Sequence, residues 1–223
     1  MLGRGMRGVS RSKIQSSRTR SSTASSGTFS TSFPSTETPV SQGGVWRSQD
    51  TLLSRVNTTP GKAFGTQDFD LGYMDSYAFV DDRAFNNNQY GEAVLYLEGG
   101  FAPSYNMEVE IILRCSDTST TRQWYEILHN KDGGFEILYL NGPADGFTPL
   151  STPTNISTPI VNGQVFRGEI VGNVISGYID GVLKVQATDS TITSGKPGMA
   201  FFSRGGAVDA PKFCFSSYSC GNL

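Results

Sequence analysis

From Met107 to Arg114 the chain alternates: Met107, Val109, Ile111 and Leu113 fall on one side, and Glu108, Glu110, Ile112 and Arg114 on the other. A period of two puts successive side chains on opposite faces of a strand. This run therefore predicts a strand with one core face and one wetter face. Similar short runs recur at Tyr73–Val80, Ala93–Glu98, Trp124–His129, Phe135–Leu140 and Lys212–Tyr218. Between Asn162 and Ser203 three more strands form a meander, followed by a polar loop and a fourth strand. Its breaks are Gly172-Asn173 and Asp180-Gly181. Asp-Gly between alternating runs is a strong hairpin signal, because both central turn residues need positive φ.

About ten strands with turns every 8–12 residues predict an all-β fold, an antiparallel sandwich or barrel. No alternation of helical and strand patterns supports an α/β fold. Asn141–Thr158, bounded by prolines, reads as a surface loop beside the sheet. Asp50 is placed to cap one helical turn through Leu52, Leu53 and Val56.

The first 45 residues break the pattern. Ser and Thr occupy 18 of these positions and large apolar residues are sparse. Such a segment buries too little surface to offset its ordering entropy and is expected to be a disordered or extended arm. The expected division is an arm over 1–45 and a sandwich over 46–223. Charge sharpens it: the arm holds Arg4, Arg7, Arg11, Lys13, Arg18 and Arg20 against Glu37 alone, a net +5, leaving −7 on the body. A basic arm on an acidic body is expected to meet something anionic, either other protein subunits of an assembly or nucleic acid. The Arg/Ser-rich start also has the composition of a transit peptide, but the glycines of LGRGMRG spoil an amphipathic helix. No apolar run approaches the ~20 residues of a membrane span. No apolar segment follows the basic start, so secretion through a signal peptide is not expected.

Cys115, Cys214 and Cys220 are an odd set without a C-x-x-C pair, which argues against a disulfide framework and a zinc site. His129 is the only histidine. It reads as a surface residue at a strand end, and its solitude excludes any multi-histidine metal site. Phosphate-cradling glycine loops are missing. Carbohydrate binding asks for less: an aromatic face and planar polar groups. Trp124, Tyr125, Glu126, Arg122, Tyr139 and Arg114 lie on or beside adjacent strands and are the candidate binding residues. Trp124 and Glu126 share one face, Tyr125, Ile127 and His129 the other. A purely core role for Trp124 fits the pattern equally well.

The meander also carries a resemblance. GNVISGYIDGVL, DSTITSGKPGMAFF and VDAPKFCF resemble the C-terminal half of concanavalin A-like lectin and glucanase domains, laminin-G-like modules among them. The resemblance spans roughly 64–219, with distinctive motifs only in 162–218. It implies a jelly-roll sandwich whose sheet face and rim loops often bind carbohydrate, and in which calcium is common. Asp209 matches a position where related domains supply a calcium ligand, with Asp68 or Asp70 to complete it. The glucanases of this superfamily carry Glu-x-Asp-x-x-Glu on one strand. Glu108-Val109-Glu110-Ile111-Ile112-Leu113 lacks both the Asp and the last Glu. Glu108 and Glu110 are accordingly read as solvated, and no catalytic residue is assigned. The expectation is a non-enzymatic, lectin-like decoration protein of a phage or viral particle or an intracellular assembly, anchored by its arm. A glycoside hydrolase or polysaccharide lyase, and a viral coat protein with a genome-binding arm, are the alternatives.

Overall fold

The computed structural model describes residues 27–48, 55–66, 75–100, 106–118, 122–141, 146–155, 160–203 and 208–223. Among them, sixteen strands, numbered in chain order, form two antiparallel sheets that pack as a sandwich. Sheet I runs β14 (Val182–Thr188), β13 (Val174–Ile179), β12 (Val165–Val171), β6 (Gln89–Leu97), β16 (Phe213–Asn222), β4 (Lys62–Gly65), β3 (Val56–Thr59), with β1 (Thr28–Thr31) also paired to β16. Sheet II runs β10 (Phe147–Pro149), β9 (Gly134–Asn141), β8 (Arg122–Asn130), β7 (Met107–Asp117), β15 (Lys196–Ser203), β5 (Ser76–Val80), β2 (Trp46–Ser48), with β11 (Thr154–Asn155) on β9. No helix of the described residues is long and apolar enough to cross a membrane.

The meander turns follow their sequence. Asp180 and Gly181 both have positive φ, 51° and 77°, as a type I′ turn demands. At the other break only Gly172 does, at 60°, which suits a turn with glycine first.

The sheets meet through a furrow. Gly91, Gly168 and Gly177 stand opposite one another across β6, β12 and β13 and face inward. A Cβ on Gly177 would lie 2.5 Å from Phe135, and one on Gly168 2.8 Å from Ile127. Ile111, Ile127 and Phe135 of sheet II fill this groove. The odd-numbered residues of β8, of β9 and of β7 up to Leu113 are thereby locked into the core, which sends the even-numbered ones to the outer face of sheet II. Past the bulge after Leu113 the parity of β7 reverses, and Cys115 and Asp117 face outward.

His129 belongs to the inward set. It is fully buried, edge-on to Phe135 and Phe166, not on the surface as its place near the strand end suggested. Parity along β8 overrides position. The three cysteines are free and buried.

Residues 27–45, read above as arm, are built into the sandwich. β1 lies along the last strand, with Phe29 opposite Cys220. Phe33 and Val40 are buried in the core, and Trp46 packs edge-on against Phe29 and Tyr218. A strand added to an existing edge needs few anchors, so Ser/Thr-rich composition concealed it. Residues 1–26 lie outside the described residues, as does most of the helical turn expected at 50–56; Val56 opens β3. The proline-bounded stretch after Asn141 supplies β10 and β11, both paired to β9.

Candidate functional site

The outer face of sheet II divides in two. Its upper half is aromatic: Tyr77, Phe79, Ile112, Trp124 and Leu140 form a second apolar cluster with Phe147 packed against it. The Trp124 and Tyr77 rings lie 4.6 Å apart and tilted. Tyr77 Oη donates to Asp117 (2.7 Å), and Arg122 covers the Tyr77 ring at 5.4 Å.

The lower half is acidic. Glu110 and Glu126 project from β7 and β8 on the same face as diagonal neighbours, two residues out of register: Glu110 stands opposite Leu128, and Ile112 opposite Glu126. Glu108 and Glu136 flank them on β7 and β9, and Asp75 closes the group just before β5. Asp75, Glu110 and Glu126 are all buried, and one carboxylate oxygen from each lies within 4.8 Å of the others. A cavity of about 270 Å³ opens here, lined by Glu108, Glu126, Glu136, Leu138, Phe147 and Phe202 among others.

The expectation that Glu108 and Glu110 are solvated fails for Glu110, while Glu108 is half-buried and accepts from Asn106 Nδ2 at 3.1 Å. Glu110 is 0 % exposed, and neither of its carboxylate oxygens has a hydrogen-bond partner. Neighbouring strands and hydrophobic side chains cover a face that alternation alone marks as polar. Glu126 is held better: Trp124 Nε1–H donates to its Oε2 at 3.1 Å.

Burial sets the electrostatics. Desolvation disfavours a charged carboxylate, and neighbouring acids add to the effect. Burial first, then Glu108 and Glu136, raise the Glu126 pKa to about 8 against the Trp124 hydrogen bond. Burial raises Glu108 to about 6. Glu110 is pushed well above the carboxylate range by burial, then by Asp75 and Glu126; Asp75 is pushed the same way by burial, then by Glu126 and Glu108. Groups perturbed this strongly beside a cavity mark a functional site more often than a structural one.

The sequence-derived candidates part company. Trp124 and Glu126 meet on this face, with Arg122 at its upper margin, ion-paired to Asp117 at 3.7 Å. Trp124 is only 2 % exposed, so it orients Glu126 and offers little open ring. Tyr125 and Tyr139 point to the core side, where Tyr125 Oη donates to Asp189 at 2.6 Å. Arg114, at φ 50° in a β7 bulge, is buried, and its guanidinium donates to the carbonyls of Asn87, Ile192 and Gly172. It pins three loops. Asp209 is ion-paired to Lys212 at 2.7 Å. No second acid joins it in a metal-sized cluster among the described residues, and Asp68 and Asp70 lie outside them. The calcium site implied by the resemblance thus has one described ligand, already occupied by a lysine.

Sequence reasoning missed Asp75, Tyr77, Glu110, Glu136 and Phe147 as site residues. Parity would place Glu108, Glu110, Glu126 and Glu136 on the face of Trp124. Asp75 arrives only through the β15–β5 pairing. A larger open groove of about 690 Å³ lies along β1, β6 and β16. Its one acid, Glu92, is paired with Arg167, so it holds no comparable chemistry.

No protein-family model and no curated protein sequence matches the chain. Solved structures do. The carbohydrate binding module CBM66 from Bacillus subtilis aligns over 83 % of this chain and 96 % of its own, with 12 % identity and a TM-score of 0.53. Porphyranase B from Zobellia galactanivorans aligns over 86 % and 90 %, with 8 % identity and a TM-score of 0.55. The GH16 protein of the Bacteroides ovatus mixed linkage glucan PUL aligns over 86 % and 98 %, with 10 % identity and a TM-score of 0.53. The fold is a concanavalin A-like sandwich, and at these identities the likeness is one of fold.

Proposed function

We propose that this protein binds carbohydrate on the outer face of sheet II, in the cavity between Glu108, Glu126, Glu136 and Phe147. The observation that carries this reading is the cavity itself, where a partly buried aromatic ring stands beside several carboxylates. Carboxylates accept from sugar hydroxyls, and an aromatic ring packs on sugar C–H faces. Both a carbohydrate binding module and carbohydrate-named enzymes share the fold. The test is a glycan panel read by array and calorimetry on the full chain. Phe147→Ala and Glu136→Gln should each weaken the best ligand about tenfold. No ligand across the panel, or unchanged affinity in both variants, removes the reading.

Hydrolysis is the second reading. Glu108 at about 6 and Glu126 at about 8 line one cavity. An acid and a base whose environments separate their pKa values are the pattern of glycoside cleavage. Under this reading Glu126→Gln abolishes release of reducing ends while binding persists. Release that survives in Glu126→Gln rejects it.

The proposal extends to the arm. All six basic residues of the first 45 fall within residues 1–26, with no acid among them. They would tether the sandwich to an anionic surface of a larger assembly, a virus particle being the case the composition fits. Deleting residues 1–26 should leave glycan binding intact and abolish co-sedimentation with the assembly. An unchanged distribution would remove the tether. Retained glycan binding but lost salt-dependent nucleic-acid binding would make the arm a genome-binding element.

A further inference from the structure

We propose that Asp75, Glu110 and Glu126 bind a hard divalent cation, calcium foremost. One oxygen from each lies within 4.8 Å of the other two. Oxygens on opposite sides of one calcium ion stand about 4.6–5.2 Å apart, twice the usual bond length. Three oxygens that close share a point within about 2.8 Å of each, so small side-chain shifts bring one ion within calcium bond length of all three carboxylates. The register keeps them in place. Glu110 stands opposite Ala200 on β15 and Leu128 on β8, and Ala200 in turn stands opposite Tyr77 on β5. The short Ala200 side chain leaves open the path across β15 between Glu110 and Asp75.

Glu110 supplies the independent observation. It is wholly buried, both of its oxygens lack a hydrogen-bond partner, and it points into the trio. Water no longer solvates it, and no described protein donor replaces water. A bound cation supplies the missing partner and relieves the repulsion among the acids in one step. The donor set is all oxygen: the only histidine faces the core, and the cysteines lie outside the trio. That choice of ligand suits calcium, magnesium or manganese over zinc or copper. Trp124 Nε1–H holds Glu126 Oε2, as outer donors orient metal ligands, and leaves Oε1 for the ion. Glu136 and Glu108 on the cavity wall deepen the negative field at its mouth.

This inference is independent of the glycan reading and excludes the hydrolytic one, because a cation on Glu126 removes the proton donor. The test uses the full chain stripped with a chelator. Calcium is titrated by calorimetry, and terbium by its emission under tryptophan excitation. We expect one ion per chain, a rise in melting temperature with calcium, and terbium emission that calcium displaces. Glu110→Gln should weaken calcium about tenfold or more. Trp124→Phe should lose most of the emission although Trp46 remains. Glu92→Gln, on the other sheet, should bind as the wild type does. The proposal is overturned by absence of saturable one-to-one binding, by unchanged affinity in Glu110→Gln, or by emission that survives Trp124→Phe. Should Glu110→Gln fail to fold by circular dichroism, Glu126→Gln is judged by the same criteria. No glycan enters the assay, so its failure and failure of the glycan reading are separate results.

Discussion

The two sheets turn glutamates outward in opposite company. On sheet I, Glu92 and Glu169 flank Arg167 at 3.1 and 2.6 Å, and the guanidinium lies 4.0 Å over the Tyr90 ring. All three side chains keep 23–36 % of their surface in water. On sheet II, Glu108, Glu110 and Glu126 make no ion pair among the described residues, and Glu110 and Glu126 are buried. The chemistry is the same on both faces and the neutralisation differs. Sheet I carries its own cation, and its charges stay solvated, so the row is surface structure. Sheet II leaves its charge to protons or to a cation from outside. Such a cluster lowers stability, so it is the one with something to bind.

Acid tests what both faces share, the interior beneath them. His129 has its Nδ1 3.1 Å from the Gly134 carbonyl, and Nε2 has no partner. Burial lowers its pKa to about 4. The unfolded chain takes up the proton near pH 6.5 and the folded chain only near 4, so stability falls as pH drops through that window. Two to three pKa units correspond to roughly 3 kcal/mol. The raised carboxylates of sheet II act with the opposite sign in this window, so the test is a difference: from pH 7 to 4, urea midpoints of the wild type should fall relative to those of His129→Leu. An equal slope in the variant would mean that His129 does not set the acid response, and would dissolve the distinction between interior and faces.

The outer acids predict a reversal of sign. In chelator at pH 7.5, Glu110→Gln should be more stable than the wild type by roughly 1–3 kcal/mol, because it removes an uncompensated buried acid. Saturating calcium should reverse the order, since only the wild type gains binding free energy. Urea midpoints with and without calcium measure both. A variant less stable in both conditions would make Glu110 a structural residue and erase the contrast with sheet I.

How far the sequence carried this contrast depends on the residue. Alternation placed Glu126 with Trp124 and set Tyr125, Ile127 and His129 on the other face, and the structure has that arrangement. It could not give burial, because burial on an outer face depends on what lies across it. Glu110 reads as solvated until Asp75, Ala200 and Leu128 are brought beside it by pairings distant in sequence. His129 failed for a related reason: the end of a strand is not the edge of a core. The Ser/Thr-rich start failed differently. Phe29, Phe33 and Val40 are too few to mark a strand, yet enough to dock one onto β16. Glu37 helps, accepting from the backbone N–H groups of Ser41 and Gln42. The Arg114 guanidinium looks like a sugar ligand in sequence, whereas three carbonyls take up its donors in the fold.

The smallest effect belongs to sheet I. Arg167→Met removes both ion pairs and the stacking on Tyr90, yet leaves Glu92 and Glu169 in contact with water. Exposed pairs of this kind are worth about 0–1 kcal/mol, and the methionine stem still covers the aromatic ring. The loss should therefore stay below about 1 kcal/mol and shrink further in 1 M salt, where screening acts over ~3 Å. Calcium affinity and glycan binding should not change. A loss of several kcal/mol that salt does not relieve would mean that sheet I also buries its charge. The two faces would then differ in the presence of an arginine alone, and exposure would no longer separate surface from site.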